Sequence, residues 1–250
     1  MQLSKRLQMN AGLVPDGSSV ADIGCDHGYV SIYLAGKKKC RVIAMDVREG
    51  PLSIARKNIA RAGLEDVIEC RNSDGLTELE PGEVDTLLLA GMGGRLILSI
   101  LQKKPEVMQR IQSLILQPQS DFREVRAGLF ALGFVIYKES YCLDAGKDYV
   151  AIRAERESCE HTDRGQNYTE AELCYGRYLR QRKDTGYYNY LLREKQKYIK
   201  IREGLWQAGV CQQAGIGRDA DTDRQTAHYA RVERIHELSH ILDMLEQSLW

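Results

Sequence analysis

Val20-Ala21-Asp22-Ile23-Gly24-Cys25-Asp26-His27-Gly28 is the stretch whose reading sets the fold. A short β-branched run closes on an acid and a glycine, and a helical stretch begins at Tyr29. Glycines at a strand-to-helix turn let the backbone approach a ligand, and the helix beyond, over Tyr29 to Ala35, offers free N–H groups. The dinucleotide fingerprint G-x-G-x-x-G is not met, because no third glycine falls in register and Asp26 would oppose a pyrophosphate with like charge. An acid at the strand end instead suits a ligand with a cationic amino group.

Outward from this turn, strands alternate with helices. Arg41 to Met45, Val67 to Cys70, Val84 to Leu89 and Leu114 to Leu116 read as further strands. Helices are expected over Leu52 to Ala62, with Pro51 at its first position, and at about 95–103 and 121–132. The last two strands, Phe134 to Tyr141 and Asp148 to Ala154, are separated only by a turn at Asp144-Ala145-Gly146-Lys147. This pattern predicts an α/β domain, a Rossmann-like doubly wound sheet with a reversed last strand.

Two more acids stand at strand ends. Asp46 closes the second strand, where a carboxylate accepts from ribose hydroxyls. Asp74, in Ser73-Asp74-Gly75, follows the third, where it can accept from an adenine amino group. Each also has a plain reading as a turn-former. Together with Asp22 they converge on the rim where open α/β sheets bind ligands, and S-adenosyl-L-methionine fits: an amino acid, a ribose and an adenine, with no phosphate. The loop Ala90-Gly91-Met92-Gly93-Gly94 adds close backbone approach or tight packing, and Gln117-Pro118 ends the next strand at the same rim.

Composition mostly excludes. In 250 residues, 35 Lys and Arg balance 35 Asp and Glu, so no overall charge drives binding to nucleic acid or membrane. Mean hydropathy is −0.40 and no apolar run approaches a membrane span. Seven cysteines lie far apart without a CxxC pair, which speaks against a disulfide scaffold or a zinc ribbon. A reducing cytoplasm, no secretion, no bound metal and a monomer are expected.

Beyond about residue 156 the character changes. Glu157 to Gly165 reads as a linker, followed by long helices at about 169–207 and 224–249 and a glycine-bearing connection over 208–217. Ile235, Leu238, Leu242, Leu245 and Leu249 keep heptad spacing, as do Leu191, Tyr198, Ile201 and Leu205. An antiparallel coiled-coil hairpin is expected, with domains at 1–156 and 157–250. Leu173 to Arg202 holds nine basic residues (Arg177, Arg180, Arg182, Lys183, Arg193, Lys195, Lys197, Lys200, Arg202) against Asp184 and Glu194, with six interleaved tyrosines. Cations neutralise phosphates and tyrosines stack on unpaired bases; the plainer reading is a solvated helix face.

Leu3-Ser4-Lys5-Arg6-Leu7, Val14-Pro15, Ala21-Asp22-Ile23-Gly24, Asp26-His27-Gly28-Tyr29, Asp46-Val47, Gly50-Pro51-Leu52, Asp74-Gly75-Leu76, Ala90-Gly91-Met92-Gly93-Gly94 and Leu114-Ile115-Leu116-Gln117-Pro118 run in a specific order. In that order they resemble the bacterial tRNA (adenine-22-N1)-methyltransferase family over about residues 3–155. The resemblance implies a class I methyltransferase fold, S-adenosylmethionine as methyl donor, and N1 of an adenine in the tRNA D-arm as acceptor. It implies Asp22, Gly24, Cys25, Asp46, Val47, Ser73, Asp74, Gly75, Gly91, Met92 and Gly93 at the cofactor. Asp26, His27 and Tyr29 are the candidates at the target base; the alternatives are that Asp26 contacts the cofactor and that His27 is a packed or capping residue. Lys5, Arg6, Gln117 and Pro118 beside the crevice, and Arg177, Arg180, Arg182, Lys183, Arg193 and Lys197 on the hairpin, are the candidates for gripping tRNA. The loop after the fourth strand lacks the Asp/Asn-Pro-Pro-aromatic pattern of exocyclic-amine methyltransferases, which favours a ring nitrogen. The competing readings are a methyltransferase of another RNA or a small molecule, and a cofactor-sensing RNA binder without chemistry.

Overall fold

The structure is a computed structural model that describes residues 3–157, 168–213 and 222–249, without the side chains of 208–233. The chain forms two compact units, residues 1–169 and 170–250. Most of the expected linker, residues 158–165, lies outside the described residues, as do 214–217 of the expected connection.

In the first unit the strands are β1 (Ser19–Ile23), β2 (Arg41–Asp46), β3 (Ile68–Asn72), β4 (Thr86–Met92), β5 (Ser113–Pro118), β6 (Phe134–Asp144) and β7 (Lys147–Arg156). The helices are α1 (Lys5–Leu13), α2 (Tyr29–Lys38), α3 (Glu49–Ala62), α4 (Gly94–Gln102), α5 (Pro105–Met108) and α6 (Phe122–Ala131). All seven strands form one sheet in the order β3-β2-β1-β4-β5-β7-β6. The first five pair in parallel, and β7 runs antiparallel to both β5 and β6. The Rossmann-like sheet with a reversed last strand is therefore present. Every residue of β5 is buried and so are four of the five in β1, which is why these strands read as unbroken apolar runs. The β6–β7 turn places Ala145 (φ 48) and Gly146 (φ 75) both in the left-handed region, the backbone of a tight hairpin.

Four expectations need correction. Helix α3 starts at Glu49, so Pro51 is its third residue; the N–H it lacks is still one of the first-turn donors without an intrahelical acceptor. Strand β4 runs on through Ala90, Gly91 and Met92, because a register shift between Ala90 and Met92, with Gly91 at φ 78, lets Met92 pair with Pro118. The helix α1 was not expected at all. Ser4 caps it, its side chain accepting from Leu7 N, and Asp144 Oδ2 accepts from Arg6 N in the first turn at 3.1 Å.

The fourth correction concerns the second unit, where the single helix expected over 169–207 is α7 (Glu170–Tyr175), α8 (Arg177–Gln181) and α9 (Thr185–Gln213). Gly176 at φ 78 breaks the first junction, and Lys183 at φ 51 lies in the second. Residues 208–213 continue α9 and are not part of a connection. Helix α10 (Thr222–Ser248) packs on α9 in antiparallel sense, with Lys195 Nζ 2.7 Å from Glu246 Oε1. Leu191, Leu238, Leu242 and Leu245 are all buried, whereas Ile201 is exposed.

Candidate active site at the carboxyl ends of the strands

In the order β3-β2-β1-β4-β5 the chain leaves β1 toward β2 on one side and reaches β4 on the other. The crevice lies outside the carboxyl ends of β1 and β4, and the Asp22–Gly28 turn is built across it. Gly24 sits at φ 74, and a Cβ there would stand 2.5 Å from Met92 Cε. Only glycine lets the β1 turn press against the end of β4. Gly24 N and Cys25 N both donate to Met45 O, at 2.7 and 2.9 Å, tying the turn to β2.

Asp22 and Asp46 are buried at the ends of β1 and β2, each about 5% exposed. Asp46 organises its surroundings: Oδ2 accepts from Asp26 N at 3.2 Å and Oδ1 from Arg48 N at 2.9 Å. Asn72 Nδ2 donates to the Asp46 and Val47 carbonyls at 3.1 and 3.2 Å, joining β3 to the same corner. Asp22 accepts from the Ser31 hydroxyl at 2.6 Å. Burial pushes its carboxyl up to about 6, the Ser31 hydrogen bond opposes this, and the neighbouring Asp46 charge adds to it. Cys25 is buried, and burial, then the Asp22 and Asp46 charges, drive its thiol far upward.

Asp26, His27 and Tyr29 stand together at the rim. Asp26 takes φ 52, a conformation Asp tolerates better than most residues. Its Oδ2 is 3.1 Å from His27 Nδ1, and the His27 and Tyr29 rings are 6.0 Å apart. Asp26 and Tyr29 are exposed, and Asn58 Nδ2 fixes the loop by donating to the His27 carbonyl at 3.0 Å.

The turn after β3 is divided in role. Ser73 is buried, donates to the Gly75 carbonyl at 2.9 Å and accepts from Glu78 N at 3.2 Å, so its hydroxyl shapes the turn. Asp74 is exposed, with Oδ2 2.7 Å from Lys103 Nζ. Val47 is exposed beside Asp46, and Gly91, Met92 and Gly93 are partly buried at the end of β4. On the other flank Arg6 Nη1 reaches Gln117 Oε1 at 3.4 Å, and its guanidinium lies 5.4 Å from the Tyr149 ring centre. A Cβ on Gly91 would come 3.0 Å from that same Nη1, so Arg6 lies directly on the β4 loop. Gln117 is wholly buried and Pro118 is buried, with the Gln117 amide donating to the Pro118 carbonyl at 3.1 Å; Lys5 is exposed.

On the second unit, Arg182, Lys183, Arg193 and Lys197 are exposed. Arg177 is half-buried in a two-pronged pair with Glu172 at 3.0 and 3.1 Å, and Arg180 donates to the Gln247 carbonyl. Those two arginines hold the helices together. Lys197 pairs with Glu194 at 3.3 Å.

Sequence reading missed Ser31, Arg48, Asn72, Lys103 and Tyr149. Each meets the site from a different element, and no local spacing marks it. Ser31 alone carried a signal, as a hydroxyl in the first turn of the helix after the glycine turn.

The residues fit the proposed cofactor. A buried carboxylate held above its ordinary range wants a cationic partner, Asp46 can accept from a diol, and the Gly24 cradle leaves no room for a side chain. Among the described residues no three His, Cys, Asp or Glu side chains group to hold a metal, and no helix is long and apolar enough to cross a membrane.

Comparison with known proteins agrees with this geometry. The methyltransferase domain family matches residues 3–152. A Bacillus subtilis (strain 168) protein named tRNA (adenine(22)-N(1))-methyltransferase is 31% identical over 214 residues, 85% of this chain and 90% of its own length. The crystal structure of the B. subtilis m1A22 tRNA methyltransferase TrmK superposes with a TM-score of 0.81 at 28% identity, covering 100% of this chain and 99% of that one. A Streptococcus pneumoniae protein solved in complex with S-adenosyl-L-methionine covers 96% of this chain and 100% of its own, with 29% identity and a TM-score of 0.72. With the sheet order, the glycine turn and its acids in place, these matches show that the chain belongs to the tRNA (adenine(22)-N(1))-methyltransferase family.

Proposed function

We propose that this chain transfers a methyl group from S-adenosylmethionine to N1 of adenine 22 in the D-arm of tRNA, with Asp26 beside the acceptor base. The observation that carries this reading is the Asp26–His27–Tyr29 group at the rim, with Asp26 and Tyr29 exposed, anchored through Asp26 N to the buried Asp46 carboxylate. Family membership supports the acceptor. The bound cofactor supplies an electrophilic methyl on a sulfonium.

Neutral adenine carries its N1 lone pair in the plane of the ring, so no proton has to be removed before attack. The protein's task is positioning, which by itself lowers barriers by several kcal/mol. Asp26 accepts from the adenine N6 amino group and faces the positive charge that grows on the ring as the N1–C bond forms. His27, held by Asp26, accepts the proton when the methylated cation relaxes, and Tyr29 stacks on the base. Arg6, Lys5 and the exposed cations of the second unit, Arg182, Lys183, Arg193 and Lys197, contact phosphates. Asp22 would hold the cofactor's ammonium and Asp46 its ribose hydroxyls, with the Gly91–Gly93 backbone as a further candidate for close approach.

The test is methyl transfer from labelled S-adenosylmethionine to bacterial tRNA lacking the modification, read by nucleoside analysis. The expected product is 1-methyladenosine mapped to position 22. Cofactor binding without that product would overturn the acceptor and leave the donor.

The Asp22 assignment makes a prediction about pH. Its folded-state value of about 6 exceeds the ordinary 3.8, so it favours the fold below 3.8 and that contribution is lost as pH rises through about 6. A cation seated on Asp22 reverses the preference. Affinity for S-adenosylhomocysteine is expected to rise up to about tenfold per pH unit on the acid side of that value, and then to level off. Calorimetric titration from pH 5 to 8 should show this rise, and Asp22→Asn should flatten it; an unchanged slope in the variant would place the ammonium elsewhere.

A further inference from the structure

The turn that carries Asp74 is fastened to α4 and to the junction that joins it to α5. Lys103, the residue that ends α4, places Nζ 2.7 Å from Asp74 Oδ2. Lys104 Nζ donates to the Thr77 and Leu79 carbonyls at 2.9 and 2.8 Å. Between them the Gly75 backbone, at φ 62, rests on Ile100, whose Cγ2 would be 3.0 Å from a Cβ at that glycine. The other end of α4 carries Gly93 and Gly94 of the β4 loop. One helix therefore braces the turn after β3 and extends the loop after β4, on the two flanks of the crevice.

Lys103 engages only one carboxylate oxygen of an otherwise exposed acid. A single ammonium on Oδ2 limits the group's rotation and leaves Oδ1 able to accept from a ligand amine. We propose that Lys103 is a positioning residue for recognition of the cofactor's adenine, acting through Asp74 to orient the acceptor of the exocyclic amino group. The inference rests on the reading of Asp74 as the seat of that adenine.

The probes are S-adenosylhomocysteine and its inosine counterpart, which carries a carbonyl where the adenine amino group stands. Wild-type protein is expected to prefer the adenine ligand. Lys103→Met should weaken that ligand about three- to fivefold, the range of a partly exposed ion pair, and leave the inosine ligand unchanged. In turnover, KM for S-adenosylmethionine should rise by the same factor with kcat retained, and Lys103→Arg should restore wild-type values. A merely structural lysine would weaken both ligands equally, which would overturn the proposal, as would unchanged or tighter binding of the adenine ligand. If the wild type binds both ligands alike, Asp74 does not read the amine and this inference falls while the methyl transfer stands. If it binds neither, the cofactor site itself is misplaced. Lys104→Met, which touches the same turn without touching Asp74, should not alter the preference between ligands.

Discussion

Asp26→Asn is expected to lower kcat for tRNA methylation about a hundredfold, or about 2.7 kcal/mol, while leaving affinity for S-adenosylhomocysteine unchanged. The substitution keeps the side-chain shape. Asparagine tolerates the left-handed backbone at φ 52, so the turn persists, and its backbone N–H can still reach Asp46 Oδ2. What disappears is a negative charge at a place where the product is a cation. Because Asp26 is exposed in the free protein, it costs little to hold there and becomes effective only when the base excludes water around it. Single-turnover rates with saturating cofactor and tRNA measure the loss. The opposite pattern, with kcat kept and cofactor affinity reduced, would move Asp26 from the base to the cofactor.

Gly94→Ala carries the largest expected loss of stability. Gly94 opens α4, and a Cβ there would lie 2.5 Å from Ser120 O, 2.7 Å from Val125 Cγ2 and 2.9 Å from Asp121 Cβ. The first of these is backbone and cannot step aside as a side chain would. The start of α4 has to move off the β5–α6 connection, straining the 3.3 Å Arg95–Asp121 pair as well. Overpacking of this kind costs about 3 kcal/mol. For a chain of this size that is roughly a 10 °C fall in Tm, read by calorimetry. Because α4 continues the Gly91–Gly93 loop, turnover should fall with it. Gly12→Ala is the matched control: a Cβ on Gly12 meets nothing within 4 Å, and the exchange inside α1 should stabilise by about 0.5–1 kcal/mol. An unmoved transition in Gly94→Ala would mean that the α4 start has slack that this packing does not suggest.

The two substitutions differ in how far sequence foretells them. Asp26 is singled out by the sequence itself, because it closes a DxGxD turn directly after a β-branched strand. The clash at Gly94 was not, since its three neighbours come from residues 120–125 and arrive only through the pairing of β4 with β5. The same holds for Asp74 and Lys103, whose ion pair spans 29 positions, and for Arg6, whose guanidinium meets Gln117 across 111. In the second unit the basic run was legible as a run. That Arg177 and Arg180 turn inward while Arg182 and Lys183 stay exposed depends on the break at Gly176 and on the packing of α10.

The sequence by itself determined the alternation of strand and helix, the reversed final hairpin, and the acids and glycines at the strand ends. Those signals are local: side-chain periodicity and backbone preference act within a few residues and survive without neighbours. Only the tertiary structure decided which hydroxyl stands against Asp22, which lysine holds Asp74, and how Arg6 comes to lie on the β4 loop. It also decided that Gln117 is enclosed. Contacts across a sheet depend on strand order and register, which the pattern along one strand does not contain.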